Sequence, residues 1–174
     1  EQRAGPAAAS AASDGIDVFI PLYPRHADRV LDCVRSVWEH ATPRPRRVVI
    51  VAPTGQLTPG LIAQFREANA EVLDESQVGV PAEVFSGPRF TDANRGWYAQ
   101  QLLRLELRRF SGTDLYAVVD ADVQLLRSTE LVRDGRAVVR RHNRLHPPAG
   151  VLFLYCFGYH PAPGDAFASA VMVY

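Results

Sequence analysis

Two aspartates, Asp120 and Asp122, close an apolar run of Leu115, Tyr116, Ala117, Val118 and Val119. Carboxylates at i and i+2 offer hard oxygen donors, which suit Mg²⁺ or Mn²⁺ beside phosphate oxygens. Side chains alternate along a strand, so both acids are expected on one face, with Cα atoms roughly 6.5 Å apart at a rise of about 3.3 Å per residue. At that separation Asp122 is expected to ligate a cation directly. Asp120 is expected to reach the metal through water or to bond a ribose hydroxyl. Two anions in one crevice call for a cation between them. The plainer alternative is that both acids end a strand and meet solvent.

Apolar patterning predicts the elements that position these acids. Residues 115–123 read as a buried strand ending at the carboxyl edge of a sheet. A first strand is predicted over 16–22, stopped by Pro24. Helical spacing of Val30, Leu31, Val34, Val37 and Trp38 predicts a helix over 28–40, with Asp28 as a candidate N-cap and Trp38 in the core. A turn at Pro43 and Pro45 leads to a strand over 47–52, a helix over 58–69 with Leu61, Ile62 and Phe65 inward, and a strand over 70–73. Residues 74–94 read as a long loop, and 95–110 as a helix carrying Trp97, Leu102, Leu105 and Leu107. Further strands are expected over 135–140 and 151–159. Strands alternating with helices imply an α/β fold, a mostly parallel sheet with helices on both faces. Ligands then bind beyond the carboxyl ends of the strands, where Pro21, Leu22 and Tyr23 converge with Asp120 and Asp122.

The totals exclude several classes. A chain of 174 residues with 47% apolar composition holds one core. Residues 1–14, rich in Ala and Ser, read as a disordered lead-in, and 15–174 as one domain. With 19 basic and 19 acidic residues, no general attraction to nucleic acid is expected. Every basic residue other than histidine is arginine, which removes lysine chemistry from this stretch. Cys33 and Cys156 read as core residues of a reducing, cytoplasmic setting, without metal-ligand spacing. No stretch approaches the ~20 apolar residues of a transmembrane segment. The apolar run at 170–174 implies a domain that is truncated at its C-terminus.

At this point the residues resemble a glycosyltransferase of the GT-A type. The first strand followed by Pro21, Leu22 and Tyr23 is similar to the opening that cradles a nucleotide base. The two acids resemble the DxD motif of that fold. Arg95, Gly96, Trp97, Tyr98, Ala99, Gln100, Gln101, Leu102 and Leu103 resemble the GWYxQQLLK signature of a bacterial group of glycosyltransferase-like proteins. The likeness covers 17–126. Arg104 stands where that group carries lysine. Residues 169–172 lack the histidines that the group carries before a methionine-containing strand, so no histidine ligand is implied there.

The resemblance implies a GT-A-like nucleotide-sugar-binding domain, incomplete at its end, that moves a sugar from a nucleotide-diphosphate donor to a glycan, lipid or small-molecule acceptor. It implies Mn²⁺ or Mg²⁺ held by Asp122 and Asp120, and a catalytic base beyond Tyr174. Donor contacts are then expected from Pro21, Leu22, Tyr23, Arg25, Arg95, Gln100, Gln101 and Asp120. Arg95, Gln100 and Gln101 are read as opening a helix whose N-terminus attracts phosphate. The Arg44, Arg46 and Arg47 cluster reads as a solvated turn, as does the basic stretch of Arg140, Arg141, His142, Arg144 and His146. Two rival functions stay open. A haloacid dehalogenase-like phosphatase also ends a strand in DxD, with the first Asp as nucleophile. A non-catalytic α/β binding module would need neither acid. A sugar-nucleotide pyrophosphorylase lacks its Gly-rich opening here.

Overall fold

The computed structural model describes residues 15–23, 27–79, 92–138 and 171–173. The side chains of 92–98 and 171–173 lie outside that description. In chain order the elements are β1 (Asp17–Pro21), α1 (Val30–His40), β2 (Ala41–Thr42), β3 (Arg47–Ala52), a 3-10 turn (Thr54–Gln56), α2 (Pro59–Glu67), β4 (Ala70–Asp74), α3 (Glu75–Val78), α4 (Asp92–Glu106), a second 3-10 turn (Leu107–Arg109), β5 (Tyr116–Val119), β6 (Thr129–Glu130), β7 (Val132–Arg133), β8 (Arg136–Ala137) and β9 (Val171–Val173).

Strand alternation builds the core. Val18 and Ile20 of β1, Val48 and Ile50 of β3, and Ala117 and Val119 of β5 face α1 and α2. Phe19, Val49, Val51, Tyr116 and Val118 face the other way, against Val78 of α3 and Leu103 of α4. Both faces of the sheet are covered, which explains why its strands read as continuous apolar runs. Burying a Val or Phe side chain contributes about 1.5–3 kcal/mol. The stripe of Val30, Val34 and Val37 therefore holds α1 in place despite its missing side-chain cap. Arg29 occupies the N-cap position and makes no capping bond, so Asp28 is not the cap expected of it. Thr58 does cap α2, accepting from the Leu61 N–H at 3.3 Å, with Pro59 at the first helical position.

The sheet runs β4-β3-β1-β5-β9. Its β4, β3, β1 and β5 strands are mutually parallel, and β9 lies antiparallel along β5. The chain moves outward from β1 to β3 and β4, then returns to place β5 on the opposite side of β1. The strand order reverses between β1 and β5, and in open α/β sheets ligands bind beyond the carboxyl ends of the strands at such a reversal.

Several local expectations are corrected. The stretch 74–94 is not all loop: Asp74 caps α3 by accepting from Ser76 N–H at 2.9 Å, and α4 already starts at Asp92. Among the described side chains of α4, Leu103 and Arg104 are buried, whereas Leu105 is exposed. Apolar residues occur all round this helix, so periodicity alone does not select its buried face. Trp38 packs against the core as expected but is only half-buried, with the Arg44 guanidinium 5.9 Å from its ring centroid. The strand expected over 135–140 shrinks to β8, one arm of a hairpin with β7. Asp134 and Gly135 turn it with φ of 50° and 70°, as a two-residue hairpin loop requires. The strand expected at 151–159, and Cys156, Arg140, Arg141, His142, Arg144, His146 and His160, lie outside the described residues.

The amino edge of the sheet carries an ion cluster. Asp17 is fully buried. Its carboxylate accepts from Arg46 Nε and Nη2 at 2.9 Å each and from the Gly112 N–H at 2.8 Å, and Arg47 Nη2 lies 3.1 Å away. Arg46 and Arg47 are thus structural clamps rather than parts of a solvated turn. Burial pushes the Asp17 carboxyl upward, but Arg46, the Gly112 N–H and Arg47 together outweigh it and hold the group below its ordinary value. A groove of about 480 Å³ lies at this edge, lined by Trp38, Arg46, Arg47 and Arg66 among others, away from the paired acids.

Gly15 enters β1 at φ +96°, where a Cβ would stand 2.4 Å from the Arg44 carbonyl oxygen. Gly15→Ala is expected to lower stability by roughly 2–3 kcal/mol, read from urea unfolding midpoints. A change under ~0.5 kcal/mol would show that this entry to the strand relaxes without strain.

Candidate site at the carboxyl edge of the sheet

Register brings the ends of β1 and β5 together. Phe19 pairs with Val118 and Ile20 with Ile50, and the Leu22 N–H donates to the Val51 carbonyl at 2.8 Å. Strand β5 stops at Val119, short of the acids. The Val123 N–H donates to the Asp120 carbonyl at 3.0 Å, closing a turn over Ala121 and Asp122. The acids therefore sit on a turn and not on an extended strand, so the extended Cα spacing does not apply. Asp120 keeps the parity of Tyr116 and Val118, toward α4, whereas Asp122 is exposed.

The α4 side supplies a partner that periodicity did not reveal. Arg104 is buried, with 7% of its side chain accessible, and its guanidinium pairs with the Asp120 carboxylate, which is 36% accessible. Tyr116 sets the register, its hydroxyl donating to the Arg104 carbonyl at 2.7 Å. The Tyr116 ring in turn meets Phe19 edge-on, with centroids 5.7 Å apart. Burial pushes the Asp120 carboxyl upward, Arg104 opposes that shift, and the neighbouring Asp122 adds to it. The net direction is upward, because Asp120 is only partly hydrated and shares its turn with a second anion.

From the opposite face, α1 holds the same turn by its backbone. Cys33 Sγ–H donates to the Asp120 carbonyl at 3.5 Å. One helical turn on, Ser36 Oγ donates to the Cys33 carbonyl at 2.8 Å and accepts from the Leu125 N–H at 3.0 Å. Parallel pairing of β2 with β6 ties the following segment to the end of α1. Burial first, then Asp120 and Asp122, pushes the Cys33 thiol up to about 12. It is therefore an inert core group and not a nucleophile.

The remaining expected donor contacts separate. Pro21 ends β1 and is buried, and Leu22 belongs to the core on the α1 side. Tyr23 lies just beyond them in the chain, with 44% exposure. Gln100 and Gln101 are half-buried and lie about two turns into α4, so the expectation that they open the helix is corrected. Arg95 lies in the first turn of α4, and its side chain is outside the described residues, as is the whole of Arg25. Sequence reasoning missed Arg104 as a partner of Asp120, and missed Cys33 and Ser36 altogether. The one local signal for Arg104 was its cationic group within an otherwise apolar stretch of helix.

Among the described residues, no three His, Cys, Asp or Glu side chains gather as a metal cluster. One exposed carboxylate beside an open crevice still fits a cation whose other ligands are phosphate oxygens and water. No described helix is long and apolar enough to cross a membrane.

Fold and site define an α/β protein with a mostly parallel sheet and an acidic turn at the point where the strand order reverses. Residues 16–149 match DUF6492, a family of unknown function, and the chain belongs to that family. The match takes in both the α4 stretch and the two acids. No curated protein is detectably similar to the chain.

Proposed function

We propose that this chain is the donor-binding part of a GT-A-type glycosyltransferase that takes a nucleotide-sugar with Mn²⁺ or Mg²⁺. The observation that carries the reading is the acidic turn at the carboxyl end of β5, beside the end of β1. Transfer of a sugar releases a nucleoside diphosphate, whose growing negative charge must be stabilised. A divalent cation bridging the diphosphate oxygens supplies that stabilisation. On this reading the exposed Asp122 carboxylate would hold such a cation, the exposed Tyr23 ring would stack on a base, and Arg95, in the first turn of α4, would meet phosphate.

The Arg104 pair weighs against the phosphatase alternative. There the first acid must attack phosphorus, and a carboxylate engaged by a buried guanidinium is a poor nucleophile. A binding module remains the competing outcome. Thermal melting with Mn²⁺ and UDP, GDP or TDP separates the two. At about a hundredfold excess over Kd, one nucleotide should raise Tm by roughly 5–10 °C, and only with the metal present. Indifference to every nucleotide would favour the binding module, and turnover of a simple phosphate ester the phosphatase.

A further inference from the structure

We propose that Arg104 is a positioning residue that withholds Asp120 from the cation, leaving Asp122 as the carboxylate offered to it, so that the metal arrives with the donor's diphosphate. The inference deepens the glycosyltransferase reading and rests on it.

Three observations converge. Arg104 is buried between Leu103 and Leu107 of the same face, and its guanidinium is spent on Asp120. Its place along β5 is set by the Tyr116 hydroxyl on its own carbonyl, so the contact is built into the packing of α4. Asp120 is held from the other side as well, through the Cys33 thiol on its carbonyl. Asp122, on the same turn, is exposed.

The electrostatic consequence is direct. Two open carboxylates would present a cation with two negative charges. A guanidinium stays charged at any working pH and matches a carboxylate's geometry, so it cancels one of them. A single carboxylate is a weak site for Mg²⁺ or Mn²⁺, which complete their shells with phosphate oxygens and water. The pairing thus favours the metal–diphosphate complex over the bare ion. Were Arg104 only filling the core, its replacement would change stability and leave metal affinity alone.

The test is titration of Mn²⁺ alone into the intact protein, followed by the electron paramagnetic resonance signal of free Mn²⁺. Arg104→Gln should tighten Mn²⁺ binding by about tenfold, because Asp120 is released to the ion. Arg104→Lys should stay within about threefold of the natural protein, since the charge is kept. The double variant Arg104→Gln, Asp120→Asn should also stay within about threefold, because it removes both charges of the pair and leaves Asp122 as before. Unchanged or weaker binding in a folded Arg104→Gln overturns the proposal. If that variant fails to fold, the double variant decides: a loss of about tenfold or more would make Asp120 a ligand and overturn the proposal. The two readings fail separately. A natural protein deaf to every nucleoside diphosphate with Mn²⁺ ends the functional reading and this inference with it. A responsive protein whose double variant loses Mn²⁺ affinity ends only the inference.

Discussion

If the proposed donor site is real, Asp122→Asn is expected to abolish joint stabilisation by Mn²⁺ and a nucleoside diphosphate, while leaving the melting temperature without ligand within about 1–2 °C. The asymmetry follows from where Asp122 sits. Its side chain is exposed, and the turn that carries it is held by the Val123 N–H on the Asp120 carbonyl and by the Leu125 N–H on the Ser36 hydroxyl. Removing its charge therefore costs the fold little. On the glycosyltransferase reading, losing the Asp122 carboxylate would also remove the charge that holds the metal beside the leaving diphosphate. Turnover should fall by at least ~100-fold, the scale of losing one preorganised electrostatic contact. Parallel melting and initial-rate measurements check both halves. A nucleotide-dependent shift that survives in Asp122→Asn would remove this residue from the site.

Asp17→Asn should cost about 3 kcal/mol at neutral pH. An amide cannot balance Arg46 and Arg47, which both close on this fully buried side chain. The loss sits at the low end for a broken buried pair, because both arginines keep part of their surface in water. The pH dependence has a definite sign. Asp17 titrates below its ordinary value of 3.8 in the folded protein, so its contribution is whole above that pH and fades as pH falls through the lower folded value. Urea unfolding at a series of pH values should show the gap between natural protein and variant narrowing below pH 3.8. A gap that is constant from neutral pH into that acid range would show that the clamp does not depend on the carboxylate's charge.

These two residues mark opposite edges of one sheet, and they differ in how readable they were. Asp122 stands out locally, as an acid at the end of an apolar run. Asp17 reads as an ordinary strand residue. Its meaning appears only when β3 lies beside β1 in the register Asp17 to Arg47, which brings in Arg46 from 29 residues away. Arg104 is a similar case. The contact with Asp120 spans 16 residues and depends on which face α4 presents, a choice its all-round apolar pattern leaves undecided. Cys33 and Ser36 meet the acidic turn across 87 and 89 residues, and nothing near them in the chain announces it.

Alone, the amino-acid sequence determined the strand–helix alternation, the positions of β1, β3, β4 and β5, and the placing of two acids at a sheet edge. Those features are written in patterns of two to four residues, and short-range sterics and burial enforce them. Only the tertiary structure decided that β5 returns beside β1, that Asp120 and Asp122 ride a turn rather than a strand, and that Arg104 claims one of the two acids. Such outcomes depend on which distant surfaces meet when both faces of the sheet are covered, and no local period records that.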